Sequence, residues 1–131
     1  MNQPLLPYAL LAPVFPFRHL ASLAGRAPIG GVREVALGCF VAARLAAERV
    51  TGVEDEPDEG RAARSTAAKG WVGTLTLPAA VRGSLIRCIE STVQGSAAAV
   101  GREVTSLASA CASFLDGASR AELKRLADVL E

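Results

Sequence analysis

An all-α fold, a small helical bundle, is what this chain predicts, and two features carry that reading. Apolar residues recur at steps of three and four through most of its length, the period of a helix face. The apolar content is also rich in alanine, the residue with the best helix propensity, while aromatic residues make up only 5%. Alanine removes little surface from water, so each helix buries modest area and the fold must rely on extended, close contact. Hydrophobic residues at 50% and charged residues at 21% exclude wholesale disorder. At 131 residues the chain suits a single helical domain, residues 1–131, that needs neither disulfide nor metal to hold its core.

The longest periodic stretch runs from Pro78 to Asp116 and is predicted as one long amphipathic helix. Its larger apolar positions are Ile86, Ile89, Val93, Ala97, Val100, Val104, Leu107, Cys111 and Phe114. Thr76 is placed as N-cap, Pro78 at a position where a missing N–H costs nothing, and Asp116-Gly117 as the stop. Such a rod would be on the order of 55 Å long and would need cover along its length. Gly95 and Gly101, with Ala97 to Ala99, form a small-residue surface for close helix approach, or else a point where the helix bends or breaks.

Upstream, Met1 to Phe17 is an apolar arm interrupted by Pro4, Pro7, Pro13 and Pro16, a spacing that forbids a continuous helix. It reads as a segment that packs on the helices, docks on another subunit, or inserts into a lipid or polymer surface. No Lys or Arg precedes Arg18, which is unlike the basic start of a signal peptide. Phe17 to Ala24 is a short helix, followed by a break at Gly25, Pro28, Gly30 and Gly31. Val32 to Val50 is the second strong helix, with Val35, Ala36, Cys39, Phe40, Ala43, Ala46 and Ala47 at helical spacing, and it is expected to lie antiparallel to the long one.

Residues 52–60 form an acidic linker, with five carboxylates between Gly52 and Gly60 that repel one another and favour extension. A helix is expected from about Arg61 to Ala68. Residues 69–77 fit either a helix or a short strand, since Trp71 to Leu77 alternates as well. At the far end, Ser119-Arg120-Ala121-Glu122 matches a capping box, and Leu123, Leu126, Ala127 and Leu130 line a last helix.

Charge, cysteine spacing and motif spacing exclude several functions. A net charge of +1 supplies no field for nucleic acid, so none is expected as a partner. Cys39, Cys88 and Cys111 are odd in number and widely spaced, which suits buried free thiols rather than a disulfide framework or a zinc site. The acidic stretch lacks EF-hand spacing, and Gly25 to Gly31 lacks the ending of a phosphate-binding loop. His19 is the sole histidine and has no acid or serine fixed beside it in sequence. No catalytic, cofactor-binding or metal-ligating residue is therefore assigned.

The remaining expectation is a non-enzymatic helical interaction or assembly protein of the cytoplasm, an adaptor, chaperone-like protein or structural subunit that binds a protein partner or itself. Leu5, Leu6, Tyr8, Leu10, Leu11, Val14, Phe15 and Phe17 of the arm, with Trp71, are the candidate partner-binding residues. Two alternatives stand beside it. One is an amphipathic coat on a lipid or storage-polymer surface; the other is a small ligand-binding bundle.

Overall fold

The computed structural model describes residues 17–26, 31–51 and 58–131. Within them the chain forms six helices and no strand: α1 (Arg18–Arg26), α2 (Val32–Thr51), α3 (Asp58–Gly73), α4 (Ala79–Gln94), α5 (Ala97–Ala110) and α6 (Gly117–Leu130). The expected all-α bundle is what the chain adopts. Arm residues 1–16 and linker residues 52–57 lie outside the described residues.

Residues 78–116 are not one rod. The helix stops at Gln94, two extended residues follow, and α5 starts at Ala97, with the Ser96 side chain accepting the Ala99 N–H as N-cap. Gly95 has ψ 155° and Ser96 ψ 164°, so two consecutive residues leave the helical region. The chain doubles back there: Arg87 Nε lies 3.9 Å from Glu103 Oε1. A continuous helix would separate those residues by about 24 Å along its axis. The long apolar stripe is therefore covered by its own second half, by α2 and by α6. Ile89, Val100, Val104, Leu107 and Cys111 are fully buried. A glycine beside a serine combines poor helix propensity with a good cap, which is why the hairpin forms at this place.

The central element is α2. It packs against α1, α4, α5 and α6, so apolar residues are needed almost all round it. Val35, Ala36, Cys39, Ala42, Ala43 and Ala46 are all buried. Their small size leaves room for larger side chains of the neighbouring helices, as at Gly38, where an added Cβ would lie 2.7 Å from Leu85 Cδ1 of α4. Glu34 accepts the Thr76 N–H at 2.6 Å, just before α4. Positions 34 and 38 thus face 76 and 85 in rising order, so α2 and α4 run in the same sense, and of the two halves of 78–116 it is the doubled-back α5 that opposes α2. The antiparallel arrangement expected for the whole of 78–116 fails for its first half, because the rod is folded.

Helix α3 is longer than the expected 61–68. It begins inside the acidic stretch at Asp58, since acidic residue types are favoured in a first helical turn, and it continues to Gly73. Residues 69–73 are thus helical, which settles that end of the ambiguous 69–77 segment, and 74–78 are a non-helical connection. Thr76 is not an N-cap; Pro78 takes that position in α4 without a side-chain cap. α3 packs chiefly on α4 and inserts Val72 into the core.

The last helix also starts earlier than the capping box implied. Asp116 is its N-cap, its Oδ1 accepting the Ser119 N–H at 2.8 Å, so this residue opens α6 instead of closing the preceding helix. Its Oδ2 accepts from Arg26 at 3.0 Å. The backbone N–H of Ser119, followed by Arg26, holds the Asp116 carboxyl below the usual carboxylate range. Because the folded pKa is depressed, this contribution is fully present above the ordinary Asp pKa of about 4 and is lost as pH falls below that value through the lowered folded one. Asp116→Ala is expected to cost about 1 kcal/mol at pH 7, mostly through the lost cap because the ion pair is exposed. In urea titrations the gap between wild type and variant should narrow below about pH 4; a gap unchanged down to pH 2 would contradict the assignment.

Candidate functional site: the base of the N-terminal arm

The candidate arm joins the bundle at Phe17. This residue has φ 50°, in the left-handed region where an L side chain costs about 1–2 kcal/mol. What holds it there is packing. The Phe17 ring is 1% exposed and meets the Phe40 ring of α2 edge-on, with centroids 6.4 Å apart and planes at 89°. Such pairs contribute about 0.5–1.5 kcal/mol beyond the area they bury. The Arg44 guanidinium carbon lies 5.9 Å from the centroid of the same Phe40 ring. The Phe17 carbonyl accepts the Ala21 N–H at 2.9 Å and so begins α1.

The adjoining helix start is capped from a distant part of the chain. The two carboxylate oxygens of Glu122 accept the N–H groups of His19 at 2.9 Å and Leu20 at 3.0 Å. The glutamate expected to reach back within its own helix instead serves the N-terminus of α1. Two otherwise unpaired amides and the positive end of the helix dipole meet a negative charge there. Glu122→Ala is expected to destabilise the bundle by about 1–2 kcal/mol and to raise hydrogen exchange selectively across α1. Equal exchange in α1 of wild type and variant would show that the cap is idle.

Of the residues singled out for partner binding, Leu5, Leu6, Tyr8, Leu10, Leu11, Val14 and Phe15 lie outside the described residues. Phe17 belongs to the core, so the boundary between arm and bundle falls one residue earlier than expected. Trp71 sits at the end of α3, partly buried against the core, and its carbonyl closes the helix by accepting from Thr74 N and Oγ1 at 2.9 and 2.6 Å. It lies on a different element from the arm's base.

His19 is exposed, whereas Cys88 and Cys111 are buried, so the fold gives these thiols no imidazole partner at the His19 position. Burial, with a smaller effect from Glu103, pushes the Cys88 thiol up to about 12 and keeps it protonated at neutral pH. Among the described residues no cluster of three or more His, Cys, Asp or Glu could hold a metal ion, and no helix is long and apolar enough to cross a membrane. An open cleft of about 340 Å³ between α3 and α4 is lined by polar groups that include Ser65, Thr66 and Gln94. Lys69 and Glu90 form an ion pair of 3.2 Å in its wall.

Two features at this end of the molecule left a trace in the sequence that spacing could not interpret. Gly38 interrupts the strongest apolar run, a position where glycine costs helix stability unless another helix needs the room. Glu122 matches a local capping motif, and nothing local distinguishes a glutamate that caps its own helix from one that caps a neighbour. No protein family, curated protein or solved structure matches this chain.

Proposed function

We propose that this protein is a helical interaction or assembly subunit that engages a protein partner, or a second copy of itself, through the apolar N-terminal arm. The observation that supports this reading is how the bundle disposes of its apolar surface. Among the described residues Val129 is the one large hydrophobic side chain counted as exposed. The stripe on 78–114 that called for an outside companion is occupied within the chain. Leu5, Leu6, Tyr8, Leu10, Leu11, Val14 and Phe15 then form the largest concentration of apolar side chains not accounted for by the described core. A surface coat would draw on an exposed amphipathic helix, and α4 and α5 offer none, so protein binding is preferred to lipid or polymer binding.

The test keeps the full chain. Leu5, Leu6, Leu10 and Leu11 are replaced together by serine, and wild type and variant are compared by light scattering and by affinity isolation from the native cells. Loss of self-association or of specific co-purifying proteins, with helical circular dichroism unchanged, supports the reading. Identical mass and identical co-purifying proteins for the two forms would refute it. Co-flotation of the wild type with vesicles or polymer granules, abolished in the serine variant, would favour the coat instead.

A further inference from the structure

The three cysteines are far apart in sequence, but the fold brings two of them together. The S–H of Cys39, in the middle of α2, donates to the sulfur of Cys111, just past the end of α5, at 3.5 Å. Both side chains are fully buried. A disulfide needs its sulfurs at about 2.05 Å, so they must close by roughly 1.5 Å. The backbone at Cys111 can supply part of that movement. Cys111 follows the last residue of α5 with φ −100° and ψ 4°, and residues 111–114 form turns between α5 and α6.

We propose that Cys39 and Cys111 are an oxidative modification site, at which a small two-electron oxidant such as hydrogen peroxide forms an intrachain disulfide tying α2 to the end of α5. The contact between the two sulfurs divides the roles: the shared hydrogen bond lowers Cys111 and favours its thiolate, while the same bond, and then burial, raise Cys39 and keep its proton in place. Cys111, as thiolate, attacks one peroxide oxygen; the O–O bond breaks, hydroxide leaves and takes up the proton that Cys111 gave to solvent. Cys111 is now a sulfenic acid. The Cys39 sulfur then attacks the Cys111 sulfur, the S–O bond breaks, and the Cys39 proton leaves with the departing hydroxide as water. Two thiols and one peroxide thus yield one disulfide and two waters. Cys88, held protonated by burial, does not compete.

The link would join residues 72 positions apart, a long loop whose closure restricts the unfolded chain strongly. An upward shift in Tm of about 5–10 °C on oxidation is expected, reversed by dithiothreitol. The test uses the reduced wild-type chain, treated with hydrogen peroxide, alkylated under denaturing conditions and digested without reduction. The expected product is a cross-linked peptide pair containing Cys39 and Cys111, with Cys88 recovered alkylated. In Cys39→Ser, dimedone should trap a sulfenic acid at Cys111, and in Cys111→Ser none should form at Cys39. Recovery of both thiols alkylated, a link through Cys88 or to a second chain, or over-oxidation of Cys111 without a link would overturn the proposal, and the wild-type digest decides this even where a variant fails to fold.

Discussion

Leu85→Ala is expected to lower the stability of the bundle by about 2–5 kcal/mol, read as a fall in the urea midpoint with unchanged m-value. Leu85 is fully buried and its side chain lies against the backbone of α2 at Gly38. The central helix contributes mainly alanine to the core, with Ala36, Ala42, Ala43 and Ala46 buried, and side chains this short cannot collapse into a leucine-sized space. The loss is a large share of the roughly 5–15 kcal/mol that holds a domain of this size. The contact also makes a sharper prediction. Gly38→Ala alone should destabilise, because the new methyl falls 2.7 Å from Leu85 Cδ1 and the leucine must move within a packed interior. In the Leu85→Ala background the same change should be neutral or stabilising, since alanine is the better helix former by about 1 kcal/mol and the obstruction is gone. A double-mutant cycle with coupling below about 0.3 kcal/mol would show that Gly38 is not there to admit Leu85.

Gly101→Val is expected to cost about 1–3 kcal/mol, and it should act on one place, the seam between α5 and α6. A Cβ at position 101 would meet the backbone carbonyl of Ala127 and the Cβ of Leu130, each at 3.1 Å, as well as Cγ of Glu131 at 2.7 Å. The glutamate side chain can swing away, but the carbonyl and the leucine Cβ move only if α6 moves. Any shift of α6 would carry Glu122 with it and so loosen the start of α1. Hydrogen exchange should therefore rise in α6 and in the first turn of α1 while α3, packed on the other side against α4, keeps its protection. A uniform rise across all helices, or none, would contradict this account of the seam. Gly101 was legible as a small-residue contact, and it serves as one. Gly95, six residues earlier in the same candidate surface, is instead part of the break that creates the hairpin.

That difference marks how much of this molecule can be read without its coordinates. Fold class, the positions of α1, α2 and α6 to within a few residues, and the core assignment of Ile89, Val100, Val104 and Leu107 follow from periodicity, because burying one side of a helix imposes spacing on the chain itself. The straightness of 78–116 does not follow. A stripe covered by a separate helix and a stripe covered by its own second half have the same spacing, and only the energy of folding back at Gly95 and Ser96 tells them apart. The same holds for the candidate sites. The arm's apolar character is written in its residues, whereas the end of the arm at Phe17, the Glu122 carboxylate on a foreign helix and the meeting of Cys39 with Cys111 are relations between segments up to 103 residues apart. Local chemistry settles which stretches become helices and which side of each must be hidden from water. Which partner hides each side is a matter of how the helices of the described residues fill one volume, and that is decided jointly by all their contacts.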